Sequence, residues 1–222
     1  MMIMAFKNLF QMTNFIPIFP LALVVFPDEH LNLHIFEPRY KQLITDCFAN
    51  KKPFGIPAVI NNKMMDLGLL VEIVEITTIY DDGKMDIKTK GLSVFKILET
   101  IKELPDKLYS GAIVSYENSI NDGSPALMKK ILELILQLHE NLGVSKKFNK
   151  ADDNLQSFDV AHHIGLSIED EYQLLEYSRE LHRQEFIKRH LVKVLSVMNE
   201  MVSLEKKIKL NGHFKNLEGF EF

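Results

Sequence analysis

The side chains of this 222-residue chain that offer chemistry are eight histidines, one cysteine and a serine in the step Asp122-Gly123-Ser124-Pro125. Each can be tested against the spacing its chemistry needs. A phosphate-binding loop requires a glycine followed five residues later by Gly-Lys-Ser/Thr, and none of the ten glycines has a second glycine at that distance. ATP hydrolysis by such a loop is excluded. His162 and His163 are adjacent, so on a helix they point about 100° apart. His182 and His190 stand eight residues apart, roughly 12 Å along a helix axis. Neither pair can hold one ion, and there is no His-Glu-x-x-His or Cys-x-x-Cys, so no metal or other cofactor is expected. Cys47 has no base or motif beside it and reads as a small buried helix residue. Ser124 precedes Pro125 and an apolar helical pattern, so it reads as a helix cap rather than a nucleophile. No catalytic residue is expected.

The densest group of charged and aromatic residues is His34-Ile35-Phe36-Glu37-Pro38-Arg39-Tyr40. It follows two Phe-Pro steps, Phe19-Pro20 and Phe26-Pro27. Pro38 suits the first turn of a helix, with Glu37 as its cap and Arg39 paired to a carboxylate or carbonyl inside the fold. A buried arginine in that role would cost about 3–5 kcal/mol on removal.

These residues need elements to hold them. Pro20 and Pro27 lack a ladder donor and bracket the apolar run Leu21 to Phe26, which reads as a short buried strand. Leu31, Leu33 and Ile35 alternate with polar residues, the period of a half-buried strand. A helix follows over 38–49, with Tyr40, Leu43, Ile44 and Cys47 on one face. Phe54 to Ile60 reads as a strand with Pro57 at an edge or bulge, and Leu67 to Tyr80 as a longer one. Asp82-Gly83 marks a hairpin turn. Met85 to Lys90 alternates, Gly91 marks a bulge or bend, and Val94 to Ile101 and Tyr109 to Tyr116 complete six or seven strands. That set suggests a small closed or partly closed barrel with one embedded helix.

Seven of the eight prolines lie at or before Pro105, and the 97 residues after Pro125 have none. Strands and turns therefore come first and helices afterwards. Ser124, Pro125 and Gly143 mark the start and stop of one helix. Its stripe is Leu127, Ile131, Leu134, Ile135, Leu138 and Leu142. Ser145 to Gln156 reads as a loop, and Phe158 to Ile164 as a short helix stopped by Gly165. Ser167 and Asp170 resemble a capping box ahead of a helix carrying Tyr172, Leu175 and Ser178. A long helix over 180–209 carries Ile187, Leu191, Val194, Met198, Met201 and Ile208. Apolar Val202, Leu204 and Ile208 near its end leave self-association open. The expected division is a tail over 1–13, a barrel over 14–120 and a helical subdomain over 121–222.

Composition narrows the partners. The net charge of −4 is spread evenly, with 12 basic and 14 acidic side chains in residues 1–120 and 14 and 16 in the remainder. Neither part has the basic excess that phosphate backbones require. The apolar N-terminal stretch is interrupted by Lys7, Asn8, Gln11 and Asn14, too soon for a signal peptide or a membrane span. A lone cysteine suits a reducing, cytoplasmic setting.

The paired Phe-Pro steps with His34 to Tyr40 resemble the opening of the N-terminal, substrate-recognition domain of the ATP-dependent Lon proteases. The resemblance continues through Phe54-Gly55-Ile56, the strand from Gly68 to Ile76, Asp82-Gly83 and Gly91. It resumes more weakly in Phe158 to Ala161, Glu171 to Glu176 and Leu204 to Ile208. One departure is Val94, where the family often has arginine. The resemblance implies an α+β fold: a PUA-like β-barrel with one embedded helix, then an all-helical subdomain ending in a long helix. It implies family-motif positions Phe19, Pro20, Phe26, Pro27, His34, Phe36, Glu37, Pro38, Arg39, Tyr40, Gly55 and Gly91, read as structural. It also implies a non-enzymatic module that binds unfolded or apolar polypeptide in protein quality control, alongside a protease or chaperone component. Asp122-Gly123-Ser124-Pro125 does not reproduce the nucleophile motif of the family's peptidase domain, because proline follows the serine. Three alternatives stand beside this reading: an RNA-binding PUA-like module, the N-terminal piece of a whole protease, and a small-molecule-binding barrel. With Phe222 falling where the ATPase linker would begin, the chain is expected to be a stand-alone protein of this type.

Overall fold

The structure, a computed structural model, describes residues 14–144, 148 and 150–215. The expected tail over 1–13, and residues 145–147 and 149 of the expected loop, lie outside them. The chain forms two compact units, each discontinuous in sequence. One holds the chain through Asn121 together with Gly165–Glu180; the other holds Asp122–Ile164 and the chain from Leu181 on.

The first unit is an antiparallel sheet that curls back on itself. Its strands are β1 (Asn14–Pro17), β2 (His30–Ile35), β3 (Phe54–Ile60), β4 (Lys63–Ile79), β5 (Met85–Ile101) and β6 (Gly111–Tyr116). They are ordered β1-β6-β5-β4-β3, with β2 pairing on β5. Just past β1 the chain leaves β6 and joins β3. The Phe19 amide donates to the Gly55 carbonyl at 2.8 Å, the Leu21 amide donates to the Pro57 carbonyl, and the Val59 amide donates to the Leu21 carbonyl. Phe19 and Leu21 both donate, so Pro20 occupies the position between them that needs no donor. Those bonds close the sheet.

Inside it, helix α1 (Pro38–Ala49) buries Tyr40, Leu43, Ile44 and Cys47, the face its spacing predicts. They pack with Phe19, Phe54, Ile56, Leu69, Val71 and Ile87. The outer side of α1 holds the β5–β6 connection. Asp46 Oδ2 accepts from Lys107 Nζ and from the Tyr109 hydroxyl, each at 2.8 Å. The Lys107 bond is the main reason that the Asp46 carboxyl is held below its ordinary range.

Three features differ from the reading of the sequence. The run Leu21 to Phe26 is not a strand. Leu21 makes one bridge to Ala58, and Val24, Val25 and Phe26 are buried outside any strand. The apolar run records burial, and burial alone does not specify a ladder. Residues 85–101 form one strand, because an extra residue at Leu92 lets the chain bend beside Gly91 without breaking. β1 is a strand that the sequence did not signal; its pairing with Gly111–Val114 is entirely long-range. At Pro57 the predicted irregularity is present as a register shift between Pro57 and Val59.

The division of the chain also differs from a single cut after residue 120. Helix α4 (Ile168–Glu176) belongs with the strands. The Tyr172 hydroxyl accepts from the Leu67 amide, Leu174 is fully buried, and Ile120 pairs in parallel with the chain at Ser178–Glu180. Ser167 caps α4 by accepting from the Asp170 amide at 3.1 Å, and its hydroxyl donates to the Asp170 carboxylate. The helix ends at Glu176, before Ser178.

The second unit contains α2 (Pro125–Leu142), α3 (Ser157–Val160) and α5 (Glu180–Lys215). α2 has the cap and stop read from the sequence: Ser124 accepts from Leu127, and Gly143 is left-handed at φ 65°. Ile187, Leu191 and Leu195 form the buried face of α5. Among the described residues no helix is long and apolar enough to cross a membrane.

Cys47 sits in the barrel core, and burial pushes its thiol up to about 12. At about pH 8 the folded protein should therefore resist a maleimide reagent, and denaturant should expose one reactive thiol. Rapid stoichiometric labelling without denaturant would contradict the placement of α1.

Candidate functional site

The twelve motif positions fall into two groups. The first builds the barrel. Phe26, Pro27, Asp28 and Glu29 make a tight turn, closed by the Glu29 amide donating to the Phe26 carbonyl at 3.2 Å. Proline takes the second position and Asp28 is left-handed at φ 63°, the geometry of a proline-led turn. This turn lies flat on Gly91. The Gly91 amide donates to the Glu29 carbonyl and the Gly91 carbonyl accepts from the Asp28 amide. A Cβ on Gly91 would collide with the Phe26 carbonyl oxygen and with Leu69. Gly55 meets a similar limit, since a Cβ there would stand 2.7–2.8 Å from Ile16 and the buried ring of Phe95. Phe19 packs its ring 4.0 Å from that of Tyr40. Pro38 starts α1.

The second group lies on the surface. Arg39 is 54% exposed, with its Nη2 2.6 Å from Glu37 Oε2 and its guanidinium 4.7 Å above the Tyr40 ring. The expected burial of Arg39 is therefore corrected. Its carboxylate partner is two residues away in sequence, and among the described residues no long-range tie anchors it. Glu37 occupies the cap position of α1 but makes no side-chain cap bond; its carboxylate accepts from Arg39 Nε instead.

His34 and Phe36 belong to an aromatic patch that the sequence did not disclose. Phe36 is 59% exposed. Its ring stacks with His34 at 6.3 Å between centroids, and Tyr80 meets His34 edge-on at 5.9 Å. Asp86 ties the patch together: one carboxylate oxygen lies 2.6 Å from His34 Nδ1, and the other accepts from the Tyr80 hydroxyl at 2.6 Å. These two bonds, with Tyr80 the larger, hold the Asp86 carboxyl below its usual range. The same bond to Asp86 raises the Tyr80 phenol. Strand register makes the arrangement: β2 sets His34 opposite Asp86, and β4 sets Thr78 on the other side. Tyr80 and Asp86 flank the hairpin turn, and only the long-range pairing of β2 with β5 brings them to His34.

The patch continues into an open sheet edge. Among the described residues β2 pairs with β5 alone. The Glu29–Gly91 bond fixes the phase of that ladder, so Leu31, Leu33 and Ile35 are its bonded positions. His30, Asn32 and His34 then direct their amides and carbonyls outward. β2 runs without a register shift and carries neither lysine nor proline, the usual guards of an edge. The equivalent length of β4 carries bulges beyond Ile73 and beyond Ile76.

Among the described residues no cluster of three or more His, Cys, Asp or Glu is placed to hold a metal ion.

Two solved structures of the same fold are Lon N-terminal domains. The Lon N-terminal domain protein from Xanthomonas campestris is 23% identical, over 78% of this chain and 95% of that one, with a TM-score of 0.59. The N-terminal domain of the Mycobacterium avium complex Lon protease is 13% identical, over 81% of this chain and 98% of that one, with a TM-score of 0.62. A sequence model of the ATP-dependent protease La (LON) substrate-binding domain matches residues 16–193. The chain belongs to that family, and the part it carries is the substrate-binding domain, not the protease domain.

Two substitutions separate the groups. Gly91→Ala should lower stability by roughly 2–3 kcal/mol, because backbone must move to admit the methyl group. Arg39→Ala should cost less than about 1 kcal/mol, as befits an exposed pair. Denaturant midpoints measure both, and the reverse order would contradict the assignment.

Proposed function

We propose that this domain is a non-enzymatic recognition module for unfolded or partly folded polypeptide, working in the cytoplasm with a separate protease or chaperone component. The observation that carries the reading is the joining of an exposed aromatic patch to an unguarded strand edge. An extended peptide laid along β2 would exchange backbone hydrogen bonds with His30, Asn32 and His34. Its apolar side chains would meet Phe36 and Tyr80 beside that edge. Backbone bonding tolerates any sequence, and the aromatic rings reward apolar ones, so the combination selects for unfolded chain rather than for one motif. Asp86 holds His34 and Tyr80 in place beforehand, which reduces the ordering cost on binding.

Membership of the substrate-binding family supports this reading. The even net charge of −4 argues against RNA as the ligand, since RNA affinity comes largely from Lys and Arg neutralising phosphates. The family match covers no peptidase residues, and the chain lacks a phosphate loop.

Phe36→Ser should weaken binding of a denatured model protein by about tenfold or more. The thermal midpoint should hold, and Phe48→Ser, at another exposed phenylalanine, should bind as the unaltered chain does. Titration at low and physiological salt, with a structured RNA as competitor, provides the comparison. Binding unchanged by Phe36→Ser would remove this surface from the account. RNA binding that is tighter and falls steeply with salt would replace polypeptide as the ligand.

A further inference from the structure

Along α5, Val197, Met201, Leu204 and Ile208 are spaced by four, three and four residues. That is the spacing of a coiled-coil seam. They are 44%, 61%, 58% and 61% exposed. The stripe is distinct from the face on which α5 packs. Ile187, Leu191 and Leu195 point about 100° away around the helix axis. Beyond Val202 that packed face continues into Glu205 and Lys209, which are charged and exposed. The seam therefore has no buried neighbour within the described part of its own unit, and a row of four large apolar side chains is costly to leave in water.

We propose that α5 pairs antiparallel with α5 of a second copy of this chain. The seam is self-complementary about its midpoint. An antiparallel partner sets Val197 against Ile208 and Met201 against Leu204, each twice, the isologous pattern of a two-fold dimer. The charges beside the seam select this direction. Glu200 and Lys207 flank it on one side. Antiparallel packing brings Glu200 of each copy to Lys207 of the other, two attractive pairs. Parallel packing brings Glu200 to Glu205 of the partner, two repulsive pairs. On the opposite flank antiparallel packing sets Met198 against Glu205, with no like-charge contact. The proposal does not depend on what β2 binds.

The seam spans roughly 16 Å, so the dimer is weak and its detection needs a wide concentration range. Sedimentation equilibrium of the full chain from about 1 µM to about 1 mM covers it. A monomer–dimer equilibrium is expected, and Met201→Asp should remove it while the helical circular dichroism of the monomer persists. Glu200→Lys alone and Lys207→Glu alone should each weaken the dimer by about tenfold, and the two together should restore it. A monomer throughout, or a dimer indifferent to Met201→Asp, would overturn the proposal. A dimer strengthened by Glu200→Lys alone would overturn it too, since only parallel packing turns that change into an attraction.

Discussion

The barrel depends on one close approach, between the Phe26 carbonyl and the backbone of Gly91. No side chain but hydrogen leaves room for the Phe26–Glu29 turn to lie on β5. Once the turn is seated, the Glu29–Gly91 hydrogen bond fixes where β2 enters the sheet and in which phase. That phase determines everything outside it. A slip of one residue would move Leu31, Leu33 and Ile35 to the other face, and His34 would no longer stand opposite Asp86. The surface patch is thus a consequence of a packing constraint in the interior, transmitted through a ladder of six paired residues.

The motif consequently carries two kinds of requirement in one short stretch. Phe19, Phe26, Tyr40, Gly55 and Gly91 answer to volume, because the interior is packed too densely to accept a change. His34, Phe36 and Arg39 stand in solvent and Glu37 is half-buried beside Arg39, where an ion pair contributes little and an aromatic ring has no fold-based reason to be. The exposed rings of His34 and Tyr80 are nonetheless oriented by one shared carboxylate, that of Asp86. His34 and Asp86 lie on strands, and Phe36 and Tyr80 stand one residue beyond the ends of β2 and β4.

How much of this the sequence disclosed follows from how local each signal is. The α1 face of Tyr40, Leu43, Ile44 and Cys47 was legible because helical spacing and Pro38 are local facts. The same holds for the Ser124 and Gly143 ends of α2, and for the Met85, Ile87, Thr89 alternation. The α+β order was legible from proline placement. What was hidden depends on pairing across the chain. β1 is defined by its pairing with β6, α4 joins the barrel through residues far away in sequence such as Tyr172 bonded to Leu67, and the patch exists because β2 meets β5. Arg39 misled for a different reason: a charged residue within an apolar motif reads as a buried pair, whereas its guanidinium lies over the Tyr40 ring and stays largely exposed.

The central claim is that polypeptide binds by extending the sheet at β2. Amide hydrogen exchange, followed residue by residue with and without a saturating unfolded protein, reads this directly. The account predicts new protection at His30, Asn32 and His34, with little change at Leu31, Leu33 and Ile35, whose amides already bond to β5. Protection confined to the helices, or to the bulged length of β4, with β2 exchanging as before, would contradict it.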